Sequence, residues 1–531
     1  METPLTPLEF ARRARKLYPE REAVVDGNLR WTYRQFFERC DRWSAALQDL
    51  GVRQGDRVAT IAPNTHAHLE SFYSVPQIGA TIVPLNYRLV ADDFVYLINH
   101  SGARVVCAHS AYLDLIDNVR PKLPDVDHFV AFEGERPGWL NYEAKLAMAP
   151  AEYARPSISE SDLLAINYTS GTTSRPKGVM ITHRNAAINM VGLLLHLPMT
   201  SSERYLWTLP MFHANGWTFV WIVTAVGGTH VCLPRVEPGA VFEQIRQESI
   251  TMLCAAPTVL IGIANAPEDL RRGAAQASKV AQASSLRILT AGAPPAAATI
   301  ERIEEELGWV VTQAYGLTET APFITICEPR AEHASLDARQ RAVIKARQGV
   351  ELLTSGELSV VDENGNEVPC DGQSVGEIVV RGNVVMAGYY KDPEATAEVM
   401  RGGWFHSGDA AVVHPDGYVE IRDRIKDVII SGGENISSVE VEGVLLRHPA
   451  VQEVAIVGLP HERWGEAPHA FVVLKSWAKA TEAELRDFAR SELAHFKAPQ
   501  GVTFVAELPK TATGKIQKYI LRGGRAAINK Q

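Results

Sequence analysis

Residues 163–178 read Leu-Leu-Ala-Ile-Asn-Tyr-Thr-Ser-Gly-Thr-Thr-Ser-Arg-Pro-Lys-Gly. The first six are an apolar run that predicts a buried strand. The rest crowd hydroxyls, glycine and one lysine into a loop, a composition suited to phosphate. A Walker loop, G-x-x-x-x-G-K-[S/T], counted from Gly171, meets Pro176 where its second glycine is required and Gly178 where its Ser/Thr is required. Proline has no N–H to give to a phosphate, and the metal-binding hydroxyl is missing. A different phosphate loop remains. Thr169, Ser170, Thr172 and Thr173 offer donors, Gly171 lets backbone approach closely, and Lys177 adds charge. Such a loop can wrap polyphosphate oxygens with no helix dipole behind it.

The strand at 163–168 continues a series. Segments 57–62, 79–84 and 103–108 are short β-rich runs separated by helical periodicity, of which 33–50 is the clearest, stopping at Gly51. Strands alternating with helices predict βαβ units and a largely parallel sheet. The texture changes between about 349 and 381. GELSVVDENGNEV (356–368) predicts two short strands around an Asn-Gly turn, and GEIVVRG follows. The last hundred or so residues mix helices (439–447, 482–494) with strands (454–457, 470–474) and read as a separate small α+β domain. The Ala/Ser/Gln-rich stretch 274–285 reads as a surface helix.

At 531 residues, the chain exceeds one hydrophobic core and implies roughly three to four structural units. A formal charge of −9 argues against a general nucleic-acid or anionic-membrane binder. Six scattered cysteines without a CxxC pair point to a reducing compartment, and the expectation is cytoplasmic. The first 21 residues read as an amphipathic helix rather than a secretory signal. The apolar stretch 216–228 is too short to span a bilayer, and INKQ at the end is no peroxisomal or retention address.

The loop resembles the Y-T-S-G-T-T-G-x-P-K-G signature of the adenylate-forming enzymes, which include acyl-CoA synthetases, aryl-CoA ligases, firefly-type luciferases and peptide-synthetase adenylation domains. Further strings of that superfamily follow in order: PMFHANGW (210–217), AGAPP (291–295), QAYGLTE (313–319), GEI (376–378), WFHSGD (404–409), DRIKD (423–427), GGENI (432–436) and PKTATGK (509–515). The resemblance spans nearly the whole chain. TPLTPL (3–8) is similar to the short- and medium-chain acyl-CoA synthetase and methylmercaptopropionate-CoA ligase-like branch. Ser174 departs from the family, which usually has glycine there.

The resemblance implies an α/β fold. A large N-terminal domain (1–424) of mixed sheets sandwiched by helices would carry a β-rich part at about 349–424, and a small mobile α+β domain would fill 425–531. It also implies two steps: a carboxylate attacks the α-phosphate of ATP, giving acyl-AMP and pyrophosphate, and CoA thiol then takes the acyl group. ATP, Mg²⁺ and CoA are the implied cofactors and co-substrates. Thr169, Ser170, Gly171, Thr172, Thr173 and Lys177 would grip phosphates. Thr318 would touch the α-phosphate and Glu319 would hold Mg²⁺, a hard cation suited to carboxylate. Tyr315 would stack on adenine, with Gln313, Ala314 and Gly316 along the nucleotide and Gly292, Ala293 and Pro294 forming a wall. Asp409 would accept the ribose hydroxyls and Arg424 would contact the ribose or phosphate side. Lys515 would bridge carboxylate and α-phosphate. His213, Trp217, Val220, Gly292, Gly316 and Pro322 would line the acyl pocket. Lys426 matches the hinge, and Gly432, Gly433 and Glu434 would face the CoA tunnel.

Three rivals stand beside a CoA ligase: an adenylation enzyme loading a carrier protein, a non-catalytic nucleotide binder, and luciferase-type oxygenation. No carrier domain follows Lys515, and His213 stands where amino-acid-activating relatives usually show an acid. The apolar or small pocket residues favour a monocarboxylic acid with an apolar tail, short-to-medium chain or aromatic. A homodimer is compatible with all of this.

Overall fold

The computed structural model describes residues 2–169, 175–281, 285–431, 434–511 and 515–523, with backbone only for 277–281, 426 and 435. Two large sheets dominate. Among the described residues the first holds eight strands, in the spatial order Gly388–Tyr389, Gly178–Thr182, Leu163–Tyr168, Thr81–Pro84, Arg57–Ile61, Ala103–Ala108, His128–Ala131 and Leu140–Asn141. From Leu163–Tyr168 to Leu140–Asn141 every pairing is parallel, while the other edge is antiparallel. The second holds nine, ordered Val350–Glu351, Phe323–Ile326, Val310–Gly316, Arg287–Thr290, Met252–Ala255, Arg204–Leu206, Thr229–Cys232, Glu22–Asp26 and Leu29–Thr32. Its middle is parallel and both its edges are antiparallel.

Helices lie between the sheets and on their outer faces. Side chains alternate along a strand, so Met252 and Cys254 join the central core while Leu253 and Ala255 join an outer one. Burial on both faces is why these strands read as continuous apolar runs rather than alternating ones. The central helix His66–Ser74 has every residue buried. Its Glu70 is tolerated because Arg39 (2.6 Å) and the Tyr142 hydroxyl satisfy it. Tyr33–Asp49 begins with a capping box, in which Thr32 accepts from Gln35 N and the Gln35 side chain returns to Thr32 N. It ends before Gly51, whose φ of +87° suits only glycine without cost. The apolar stretch near 216–228 becomes the buried helix Phe219–Val226, and no helix among the described residues is long and apolar enough to cross a membrane.

The β-rich part is a four-stranded antiparallel sheet including Glu357–Val361, Gly376–Arg381, Phe405–Val413 and Val419–Arg424. The expected second strand after the Asn-Gly turn does not form. Asp362 takes the N–H groups of Asn364 and Asn366, both at 2.9 Å, which leaves a single bridge from Val361 to Glu367. Glu357–Val361 pairs instead with Gly376–Arg381. The expected surface helix at 274–285 is the end of the longer helix Glu268–Ala281, and Ala274 and Ala275 are buried. From Ile429 onward a separate sheet forms around Val451–His461 and Gly465–Leu474, with Gly501–Phe504 added in parallel. Helices Ser438–Leu445 and Glu482–Glu492 cover it and share its own core.

Candidate active site

Strands from both sheets end at one cleft. Brought there by their carboxyl ends are the loops after Leu163–Tyr168, Arg204–Leu206, Arg287–Thr290 and Val310–Gly316, the usual ligand position in an α/β sheet. The hydroxyl-rich loop joins two antiparallel strands. Tyr168 pairs with Gly178, and Thr169 N donates to Lys177 O at 3.0 Å, closing the neck. A strand, Gly178–Thr182, leaves the loop, where a Walker loop would run into a helix. The Lys177 ammonium lies over the Tyr389 ring, 4.7 Å from its centroid. Ser170, Gly171, Thr172, Thr173 and Ser174 lie outside the described residues.

On the facing sheet, the strand Val310–Gly316 runs into a short turn, Thr318–Thr320. Gly316 is required by packing: a Cβ there would lie 1.8 Å from Pro322 O. Glu319 accepts from Tyr389 Oη at 2.8 Å on Oε1, which leaves Oε2 for a cation. No cluster of three or more potential metal ligands exists among the described residues. One carboxylate with the remaining positions filled by phosphate and water suits Mg²⁺, so the residues present fit that ion. Tyr315 Oη donates to Asp409 Oδ2 at 2.6 Å, and Arg424 Nε meets Asp409 Oδ1 at 2.7 Å. Asp409 is buried, yet each carboxylate oxygen keeps a further lone pair for a ligand hydroxyl. Gln313 is also buried, with no hydrogen-bond partner for its Oε1 among the described residues, and Ala314 is buried beside it.

The acyl side is built on an unusual backbone. Ala214, Asn215, Gly216, Trp217 and Thr218 all have positive φ, between 37° and 66°. One turn of left-handed helix costs roughly 1–2 kcal/mol for each non-glycine residue, so the surroundings must hold it. Asn64 pins the chain just ahead of it, through Nδ2 to Trp207 O and Leu209 O and by accepting from Met211 N at 2.9 Å. Asn167 Nδ2 donates to Phe212 O at 3.1 Å and Asn215 Oδ1 at 3.3 Å. The turn drives Trp217 into the protein against Phe323, with ring centroids 5.5 Å apart, and toward Gly292. Ala293 and Pro294 are half-buried beside Gly292. A small cavity of about 10 Å³ lies between the turn and Thr318, lined mainly by Ile181, Ala186, Ala214, Trp221 and Ala321 with Asn167 and Asn215. His213 precedes the turn. Burial, helped by the nearby Lys515 ammonium, pushes its pKa down to about 4, so the imidazole is neutral at pH 7. The Lys515 N–H donates to Thr511 Oγ1 at 3.1 Å.

Two of the expected acyl-pocket residues are tightly packed. Val220 is fully buried in the central core one turn further on, its carbonyl taken by Tyr73 Oη. Gly316 packs against the Pro322 carbonyl, where any side chain would clash. Pro322 is buried in the same tight turn. Near the second sheet unit, Asp423 Oδ2 accepts from Ser438 N (2.9 Å) and Oγ (2.5 Å), and Arg522 pairs with Asp427 at 2.7 Å. Lys426 lies between them in the turn Ile425–Asp427; its side chain, and Gly432 and Gly433, lie outside what is described. Glu434 is exposed at the start of the strand Glu434–Ile436.

Residues 10–390 match the model of the AMP-binding enzyme family, and residues 440–515 match that of the AMP-binding enzyme C-terminal domain. The chain belongs to the AMP-binding enzyme family. Within it, the chain is 42% identical over 537 residues to 4-hydroxybutyrate–CoA ligase 2 of Metallosphaera sedula, covering 99% of this chain and 96% of that one. It is likewise 42% identical to the peroxisomal acetate/butyrate–CoA ligase AAE7 of Arabidopsis thaliana, covering 98% and 94%. The anthranilate CoA ligase AuaEII, solved with anthranoyl-AMP, superposes with a TM-score of 0.88 at 27% identity, covering 98% of both chains. These relatives bear out the acid:CoA ligase reading over the carrier-protein one. The family strings led to most of the cleft, but not to Tyr389, Asn64 or Asn167. Of these, Tyr389 alone left a local signal, an aromatic pair placed directly after Gly388.

Proposed function

We propose that the protein activates a short-chain aliphatic monocarboxylic acid as its acyl-adenylate and passes the acyl group to CoA. The observation that carries the chain-length assignment is the left-handed turn that presses Trp217 against Phe323. The space beside that turn is small, about 10 Å³ between residues that include Asn215, Thr318 and Ala321, far below the ~300 Å³ of a preformed site for larger ligands. The lining is largely apolar and carries no cation for a second carboxylate. The relatives named for 4-hydroxybutyrate and for acetate or butyrate agree with it.

On this reading Lys177 and the loop hydroxyls grip the β- and γ-phosphates, Thr318 meets the α-phosphate, Asp409 accepts the ribose hydroxyls and Tyr315 lies along adenine. Bound at Glu319, Mg²⁺ would neutralise phosphate charge. The neutral His213 imidazole orients the acid carboxylate by a hydrogen bond without fixing it as an ion pair. Lys515 lies between that carboxylate and the α-phosphate. A carboxylate oxygen forms a bond to the α-phosphorus as the bond to the pyrophosphate oxygen breaks. Catalysis is positioning plus electrostatic stabilisation. The domain from 425 onward then turns about Lys426, withdrawing Lys515 and bringing Gly432 to Glu434 to the CoA path. CoA sulfur bonds to the acyl carbon, the thiol proton leaves, and the bond to AMP breaks.

The test is ATP- and CoA-dependent AMP release over straight-chain, branched and aromatic acids. Acids of about two to five carbons should give the highest kcat/KM. Trp217→Gly should extend the range to longer acids, with each added methylene gaining up to ~1–3 kcal/mol. A wild-type preference for long-chain or aromatic acids would overturn the assignment.

A further inference from the structure

Tyr389 touches two of the residues assigned to the triphosphate at once. Its hydroxyl donates to Glu319 Oε1 at 2.8 Å, and the Lys177 ammonium lies 4.7 Å from the centroid of its ring. The backbone around it makes the same connection. Met386 N donates to Glu319 O at 2.8 Å, while Ala387 N donates to Met180 O and Tyr390 N to Gly178 O at the exit of the phosphate loop. Residues 386–390 therefore tie the turn that carries Glu319 on one sheet to the hairpin that carries Lys177 on the other.

The tyrosine is held in place. It is buried, its N–H donates to Thr396 Oγ1 at 2.8 Å, and it pairs with Val179 across the sheet edge. Gly388 before it has φ +138°, and a Cβ there would lie 2.9 Å from Thr396 Cγ2, so only glycine lets this strand come so close. A phenol suits both contacts: its ring face attracts a cation, and its O–H donates to a carboxylate. Phenylalanine could do only the first and serine only the second.

We propose that Tyr389 is a positioning residue that fixes Glu319 relative to Lys177, so that a cation on Glu319 and the Lys177 ammonium engage one triphosphate together. The proposal rests on the reading of Glu319 and Lys177 given above. Glu319 would otherwise be free to swing on its own rotamers, and Lys177 would lose its seat.

The test is ATP binding by calorimetry on the full chain, without acid or CoA, in Mg²⁺ and in EDTA. Tyr389→Phe keeps the ring and removes the hydroxyl. It should weaken binding in Mg²⁺ about 10- to 100-fold, the effect of one lost hydrogen bond to a charged group, and leave binding in EDTA unchanged. Tyr389→Leu should also weaken binding in EDTA, by about two- to fivefold, through the lost cation–ring contact. In pyrophosphate exchange, Tyr389→Phe should raise the Mg²⁺ needed for half-maximal rate and leave the acid KM unchanged. Wild-type binding by Tyr389→Phe in Mg²⁺, or equal weakening with and without Mg²⁺, overturns the proposal. Glu319→Gln separates it from the reading beneath it. Should Glu319→Gln bind ATP in Mg²⁺ as the wild type does, the assignment of Glu319 fails and the role of Tyr389 fails with it. Should Glu319→Gln weaken binding while Tyr389→Phe does not, only the role of Tyr389 fails.

Discussion

His213 should remain neutral throughout the working pH range, and this can be tested sharply. Its pKa is pushed from 6.5 to about 4, first by burial and then by the Lys515 ammonium. A shift of that size disfavours the imidazolium by roughly 3 kcal/mol. The direction matters. As pH falls from 8, an exposed histidine gains a proton near ~6.5, whereas His213 keeps its neutral form until the pH approaches its own lowered value. The adenylation step, followed alone by ATP–pyrophosphate exchange at saturating acid, should therefore be flat from about pH 8 to 5.5. His213→Gln, which retains a neutral hydrogen-bonding side chain, should lower the rate without changing the shape of that profile. In histidine-labelled protein followed by NMR, Lys515→Ala should raise the His213 midpoint yet leave it below 6.5, because burial is the larger cause. A wild-type limb centred near ~6.5 that vanishes in His213→Gln would refute the reasoning.

Two further outcomes follow from the polar contacts around the cleft. Asp409→Asn keeps the shape but removes the charge that faces Arg424 and the acceptor capacity assigned to ribose; the KM for ATP should rise about 10–100-fold, the effect of losing charge-assisted hydrogen bonds, while the KM for CoA changes little. Asp423→Ala unties Ser438 N and Oγ and should destabilise the arrangement in which Lys515 faces His213 by about 1–3 kcal/mol. Single-turnover adenylation should slow while thioester formation from supplied acyl-AMP does not, and equal slowing of both would count against that seam as the boundary of the moving unit.

The fold was legible where its signal is local. The apolar runs at 57–62, 103–108 and 163–168 became strands within a residue of the expected ends, because burial on both faces makes such runs continuous. Pro176 and Gly178 correctly ruled out a Walker loop, and the hairpin at Tyr168 and Gly178 gives the physical reason, since a strand and not a helix leaves the loop. The cleft was legible through ordered strings, each fixed by its own local geometry. Tyr389 was not, because it lies more than two hundred positions from Lys177 and meets it only through pairing of a two-residue edge strand, too short to show a period. The left-handed turn at 214–218 was hidden for another reason. Asn215 and Gly216 are residue types that accept positive φ, but Ala214, Trp217 and Thr218 do not announce it, and the side chains that anchor this segment, Asn64 and Asn167, are remote in sequence.

The central claim is that one cleft serves two half-reactions, with Lys515 needed only in the first. Lys515→Ala should be assayed in each half-reaction separately, by pyrophosphate exchange with ATP and a short-chain acid, and by thioester formation from preformed acyl-AMP and CoA. The account predicts near-complete loss of exchange and a thioesterification rate close to wild type. Equal loss in both half-reactions, or exchange at the wild-type rate, would contradict it.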